Sequence, residues 1–590
     1  MENENQVKLE TDVLIVGSGP AGSSMSLFLA TYGIDHLVIS KYFWTANTPR
    51  AHITNQRTVE IMRDLGIEDR IKLQGTPHHL MGDTSFCTSL AGEELGRVRT
   101  WGTHPLRESE YLSASPSSNY DLPQNLFEPI LVDASSSRGG KFRFGIEYLN
   151  HIQFEDYVEV TVRDRLTNET YVIRAKYLIG ADGGRSKVAV DMGASMEGKM
   201  DIAGSMNIVF RADLSKYVAH RPSVLYWVLQ PGADIGGIGL GLVRMVRPWD
   251  EWLIVWGYDI DAPPPEVDED FAKGVVRNLV GDESIDPQID SVSLWGNNRM
   301  YATTYQKGRV FIMGDAAHRH PPSNGLGSNT SIQDAYNLAW KLALVLKNKA
   351  GAGLLSSFQE ERAPIGKQIV LRANKSIEEF GSILSALGVT DTINVDVMKS
   401  NMAQLHDESA IGRSRRERLL EAFDLKDYEF NAHGVELGQR YCSSAVMSDG
   451  SMEPPYTRDP ELFYHPTTYP GARLPHVWLV DERQQKVSTH DICGKGRFAL
   501  LTGTNGSPWK LAAEKVSSEL GVAIDAHILG PGQRYQDIYG DFAKVREVEE
   551  DGVILVRPDM HVGWRSNSMV EDPEVALAST MRQILSLRYL

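Results

Sequence analysis

Three glycines, Gly17, Gly19 and Gly22, follow at once on the apolar run 13–16 and form the stretch GSGPAG. Glycines at that spacing, after a buried strand and before a helix, suit the holding of a diphosphate. The first permits a tight turn, the second lets the backbone approach the phosphates, and the third lets the helix close on the strand. The helix, expected over 21–32, directs its free N–H groups at the anion. Two more glycine-rich turns each carry an acid. Asp182 lies between Gly180 and Gly183 in GADGGRSKV; Asp315 follows Gly314 at the start of GDAAHRHPPSNGLGSNTSIQDAYNLAWKLA, where a helix begins near Asn329. Two helix N-termini facing strand ends suit one long nucleotide held at two places.

The elements that position these groups follow from the apolar pattern. A second run over 36–39 completes a βαβ unit, so a Rossmann-like α/β domain is expected. The position that usually carries an acid for a ribose hydroxyl is Ser40, followed by Lys41. A small polar residue before a base would suit a 2′-phosphate, so the fingerprint leaves FAD and NADP both open. Arg50 and Arg57 lie in or beside the next loop, and TNQR leads into a helix that ends at Gly66. The polar tract 81–123 is expected to be a long loop, and the helix after it carries Gln124 near its start. From Ser205 to Ile260 the pattern changes to strands. There Gly237, Gly239 and Gly241 alternate along one face, while Trp227, Trp256 and Tyr258 suit a sheet covering an apolar pocket.

At 590 residues the chain exceeds a single core. The expected division is 1–200 and 301–447 for a split nucleotide-binding domain with helices, 201–300 for an inserted, mostly antiparallel sheet, 448–475 for a linker, and 476–590 for a small α/β domain. The N-terminus MENENQVKLE lacks the pattern of a signal peptide, and no apolar run reaches membrane-spanning length. A net charge of −17 argues against nucleic-acid binding. Three cysteines, Cys87, Cys442 and Cys493, form no CxxC pair, so neither a disulfide framework nor a metal site is expected, and a cytoplasmic setting fits best.

Taken together, GSGPAG, GADGGRSKV and the GDAAH stretch resemble the three fingerprints of the FAD-dependent aromatic hydroxylases, the group A flavoprotein monooxygenases, and within them the phenol hydroxylase and 2,4-dichlorophenol 6-monooxygenase branch. The C-terminal stretches GARLPHVWL, STHDICGKGRFALLTG and GVILVRPDMHVGWR resemble that branch's thioredoxin-like domain. The resemblance favours FAD at Ser40. It implies that Gly17, Gly19 and Gly22 cradle the pyrophosphate, that Asp315, next to the cofactor-binding Gly314, holds the ribityl chain, and that the loop from Pro321 to Asn329, with Pro322 and Gly327, lies against the isoalloxazine. Gln124, and Arg50 or Arg57, are implied to contact the cofactor; Asp182 and Gly183 are implied in FAD and NADPH binding, although Ala189 stands where related motifs often end in arginine. The implied reaction uses NADPH or NADH and O₂, passes through a flavin C4a-hydroperoxide, and hydroxylates a phenol ortho to its hydroxyl. The substrate is a simple or chlorinated phenol or a larger biosynthetic aromatic. His52 is implied as the base beside the phenolic oxygen, and a homodimer is implied by likeness alone. An NADP-dependent reductase or a non-hydroxylating flavin sensor are the alternatives.

Overall fold

The computed structural model describes residues 7–231 and 240–587. The first six residues of the N-terminal stretch, and Gly237 and Gly239, lie outside them.

The fold starts from five parallel strands. Val7–Val16 pairs with His36–Ser40 on one side and Thr170–Gly180 on the other; Val310–Ile312 and Lys141–Phe144 extend the sheet outward. Val13, Leu14 and Ile15 are fully buried, as a strand covered on both faces requires. The register does the positioning. Val16 stands opposite both Gly180 and Ile39, and Gly180 opposite Ile312, so the strands end level. The turns at Gly17, Asp182 and Asp315 therefore lie along one rim of the sheet. Helices Pro20–Thr31 and Gly327–Leu346 pack together above it, with Phe28 stacked on Tyr336 at 5.1 Å.

A second eight-stranded sheet, antiparallel but for one pairing, runs in the order His318–Arg319, Gln288–Ala302, Met196–Arg211, Glu251–Tyr258, Leu240–Arg247, Leu225–Leu229, Asp83–Cys87, Glu94–Arg99. Its last two strands come from the tract expected to be a loop, which also holds helix Glu108–Ala114 and strand Tyr120–Asp121. Each of these elements is short, and pairing with distant strands stabilises what local pattern does not announce. Helix Glu269–Val280 covers one face; helices Phe380–Leu387 and Ala410–Asp424 bring Phe380 and Phe423 against Phe86 at the far end.

The C-terminal unit has the thioredoxin-like arrangement, a four-stranded sheet in the order Ile524–Ile528, Phe498–Thr502, Val553–Val556, Val562–Ser566, with helices Ser507–Leu520 and Pro573–Ile584 packed together beside it. Burial pushes the Cys493 thiol up, which leaves it a poor nucleophile. This unit shares apolar core with the first domain, where Trp340 meets Phe498 edge-on at 5.7 Å. Beneath that contact lies a buried charge cluster. Arg557 grips both oxygens of Glu361 at 2.5 and 2.9 Å and also bonds Asp559, while Lys341 reaches Glu361 at 2.7 Å. The tract expected to be a linker is drawn into the same seam at its end, where Arg473 pairs with Glu60. Among the described residues no helix is long and apolar enough to cross a membrane, and no cluster could hold a metal ion.

Candidate functional site

At the rim of the parallel sheet, Gly17 has φ +110°, and a Cβ there would lie 2.1 Å from the carbonyl oxygen of Ala181; one on Gly22 would lie 1.9 Å from the Gly17 oxygen. Neither position admits a side chain. A Cβ on Gly19 would have a nearest neighbour 3.9 Å away, Glu128 Oε1, so the space that a phosphate needs is open. Gly19 caps the Pro20–Thr31 helix without a side-chain bond, leaving the helix N–H groups for a ligand. Ser40 is buried at the end of its strand.

Arg50 is exposed; burial raises the carboxyls of both Asp315 and Glu128, and the Arg50 charge partly offsets that rise at each. Gln124 donates its backbone N–H to the Arg50 carbonyl and its amide to Glu128 at 2.5 Å. Asp315 is exposed at its turn, and the protein packed around it raises its carboxyl. The turn that carries it is fixed from behind. Asp334 accepts from Gly314 N at 3.0 Å and is bonded to His318 Nε2 at 2.8 Å and Arg362 Nε at 2.8 Å. His318 is thereby structural.

The proline-rich loop is tied to Ile53 and Asn55. Asn329 donates to the carbonyls of Ile53 and Gly325 at 2.7 and 2.6 Å and accepts from Asn55 N. Pro322 is exposed at the head of the single turn Ser323–Gly325, and Gly327 starts the long helix. The structure thus brings Gly17, Gly19, Gly22, Gly314 and Asp315 to one rim of the sheet, with Arg50 and Gln124 joined beside Glu128 near Gly19, while Asn329 is buried and ties the proline-rich loop to Ile53. This arrangement fits an extended dinucleotide, with no side chain across the Gly19 pole and an acid near the far end.

Two expected cofactor residues are placed differently. Arg57 is 3% exposed and bonds Glu60 at 3.2 Å and the Asp559 carbonyl at 2.9 Å, so it belongs to the seam with the C-terminal unit. The helix that opens at Gln56 turns it away from Arg50. Asp182 accepts from Ser186 Oγ, Lys187 N and Val188 N at 2.5, 2.8 and 3.1 Å, which makes it the fastener of a helix start. Gly183, at φ +82°, has open space around it. Asp315→Ala is expected to weaken FAD binding about 10- to 100-fold through the loss of charge-assisted hydrogen bonds. The protein should purify largely colourless, and full FAD occupancy would refute this placement.

A second polar group lies under the antiparallel sheet. Ile53–Thr54 pairs with Tyr120–Asp121, which sets His52 Nδ1 3.2 Å from Asp121 Oδ1. Arg244, from Leu240–Arg247, donates to Asp121 Oδ2 at 2.5 Å. Asp121 is wholly buried, and His52 and Arg244 nearly so. Arg244 and His52 hold the Asp121 carboxyl below its ordinary range. Burial, followed by the Arg244 charge, pulls His52 down to about 4. His52 is thus neutral. With Nδ1–H donating to the carboxylate, its Nε2 lone pair is buried and has no protein partner.

Strand alternation sorts the three aromatics. Trp227 stands opposite Leu242, two residues from Arg244, and so shares the face of Arg244. Its Nε1–H has no partner. Trp256 stands opposite Gly241, whose missing Cβ faces Leu279 of the covering helix, and its ring lies 6.4 Å from Phe271. Trp256 and Tyr258, two residues apart, both lie on that opposite face, away from His52. Tyr258 instead helps to line a surface cavity of about 360 Å³ with Arg185, Asp201 and Trp295.

Sequence reasoning missed Asp121 and Arg244. Arg244 left one signal, a lone arginine within the apolar strand GLVRM; Asp121, two residues from Pro123, left none.

Residues 10–373 match the family profile described as FAD binding domain, and residues 467–586 match that of aromatic-ring hydroxylase, C-terminal. The chain is 53% identical over 585 residues to 2,4-dichlorophenol 6-monooxygenase of Delftia acidovorans, covering 99% of this chain and all of that one. It is 55% identical over 577 residues to phenol 2-monooxygenase of Pseudomonas sp. (strain EST1001), covering 98% and 93%. Among solved structures, the flavin-dependent monooxygenase PieE in complex with FAD and substrate is similar with a TM-score of 0.93 at 42% identity, covering 99% of this chain and all of that one.

Proposed function

The chain belongs to the FAD-dependent aromatic-ring hydroxylases, and from that premise we propose that it hydroxylates a simple or chlorinated phenol ortho to the hydroxyl, with His52 as base. It is a flavoprotein monooxygenase that uses FAD and NAD(P)H. The observation that carries the proposal is the buried His52–Asp121–Arg244 group on the face shared by Trp227.

Bound FAD supplies hydride acceptance and the activation of O₂; the chain supplies orientation, dryness and proton control. A ring carbon becomes a strong nucleophile as its hydroxyl loses the proton. Nε2 of His52 accepts that proton. Asp121 fixes the tautomer and steadies the imidazolium, and Arg244, bonded to Asp121, keeps that carboxyl ionised. A base with so low a pKa suffices because the phenolic proton grows acidic as the ring gives up electrons. The Trp227 indole N–H, buried without a partner in the protein, would serve as a donor for a polar substituent on the ring. NAD(P)H approaches past Gly183, whose neighbour Gly184 lies beside Arg319, itself bonded to the Asp315 carbonyl.

The test is NADPH and NADH consumption by the FAD-loaded protein with a panel of phenols, with product mass recorded in the same samples. Phenol or a chlorophenol should raise consumption at least tenfold and gain one oxygen. Stimulation that yields hydrogen peroxide alone, with oxygen gain restricted to a larger aromatic, would replace the simple-phenol reading.

A further inference from the structure

One acid beside the Gly17–Gly22 turn plays no part in the steps above. Glu128, on helix Gln124–Ser136, is 3% exposed. Its Oε2 accepts from Ala46 N at 2.6 Å and its Oε1 from Gln124 at 2.5 Å. That same Oε1 is the nearest atom to the side-chain position of Gly19, at the N-terminus of the Pro20–Thr31 helix. A carboxyl thus stands beside the pole where the dinucleotide fingerprint gathers an anion. Arg50 is the charged group facing it; its other close neighbours, Ala46 N, Gln124 and Gly19, do not titrate.

A diphosphate brings two negative charges to this helix end and to Arg50. An ionised Glu128 opposes it at short range and competes for the same arginine. A protonated Glu128 does neither, and it still accepts from Ala46 N. We propose that Glu128 is a proton-accepting partner of the FAD diphosphate, taking up one proton from solvent as FAD binds. One O–H bond forms on the carboxyl, and no other bond changes. The proposal rests on the placement of FAD along the Gly17–Gly22 turn.

The linkage has a definite sign. Because the diphosphate raises the affinity of Glu128 for its proton, the holoprotein value lies above that of the empty protein. FAD binding is therefore strongest below the lower value and weakens, by at most about tenfold per pH unit, as pH rises through the interval between them. Burial, the largest influence on Glu128 in the empty cleft, already raises its pKa, which brings that interval toward neutrality.

The test dilutes the holoenzyme at pH 6–9 and constant ionic strength, and reads the flavin fluorescence regained on release, while a pH-indicator dye in weak buffer counts protons. Wild type should show a Kd that climbs with pH, by about tenfold per unit at its steepest, and should release up to one proton per FAD. Glu128→Gln keeps an acceptor for Ala46 N and should give a flat profile with no proton; Glu128→Asp keeps an acid and should keep the slope. A wild-type Kd that is flat over this range, or an E128Q slope parallel to wild type, overturns the proposal. If E128Q does not retain FAD, the wild-type proton count and the E128D slope decide. Arg50→Gln separates this idea from its premise. It should weaken FAD at every pH, and if it does not, the cofactor placement itself fails.

Discussion

Replacing His52 by alanine should leave NAD(P)H oxidation running while oxygen transfer to the phenol falls by about 10²–10⁴-fold, the range for removal of a positioned base. The reducing equivalents should leave as hydrogen peroxide. The split follows from position. His52 is buried beneath the antiparallel sheet with Asp121 and Arg244, whereas Asp315 and the glycine turns proposed to hold the cofactor lie along the other sheet's rim. Asp121→Asn should mimic much of the loss by a different route. An amide facing Nδ1 can donate to it, which transfers the ring proton to Nε2 and removes the lone pair. The pH dependence is a further check. His52 titrates near 4, so wild-type oxygen transfer should not decline between pH 8 and 6 through this group. Coupling that is unchanged in His52→Ala would end the base assignment.

Glu361→Gln should be the most damaging change to stability. It would leave Arg557 and Lys341 buried without their shared counter-charge, and breaking such a pair typically costs about 3–5 kcal/mol. Lys341 is already pulled down to about 8 by burial; without Glu361 it should be neutral at pH 7. Because a chain of 590 residues unfolds with an entropy of about 1.2 kcal/mol/K, the thermal midpoint should fall by roughly 2–4 °C. Flavin fluorescence should appear at the same lowered temperature, because Asn337 and Lys341 sit on the helix whose first turn borders the cofactor cleft. The sign with pH is fixed as well. Arg557 and Lys341 hold the Glu361 carboxyl well below its ordinary range, so its contribution is complete above the unfolded value and is lost as pH falls through the folded one. An unshifted midpoint would mean that the cluster adds nothing to the joint.

What the sequence disclosed was local. The strand, turn and helix around Gly17, and the strand, acid and helix around Asp315, each lie within some thirty residues, and their glycines are required by contacts that the structure shows directly. The base was half legible: His52 stood out, but its partners are 69 residues away for Asp121 and, from there, a further 123 for Arg244. No period or spacing links such positions; only the pairing of short strands does. Trp256 and Tyr258 show a sharper limit. Alternation states that they share a face but not which face looks at the cleft, and that is fixed by the helix packed on Gly241. Arg57 looked like Arg50 because seven residues separate them, and a helix start between them sends the two in different directions.

The seam has a consequence for how the protein is made. Arg57 and Asp559 are 502 positions apart, and Glu60 waits for Arg473. At roughly 5–20 residues per second, a ribosome needs about 25–100 s to travel from one to the other. Throughout that interval, charges destined for a dry interior belong to a half-finished chain and must stay wet. The helix that follows His52 therefore cannot settle as it emerges. Its final docking waits for the last hundred residues, which makes the C-terminal unit a clasp that closes on an otherwise complete enzyme.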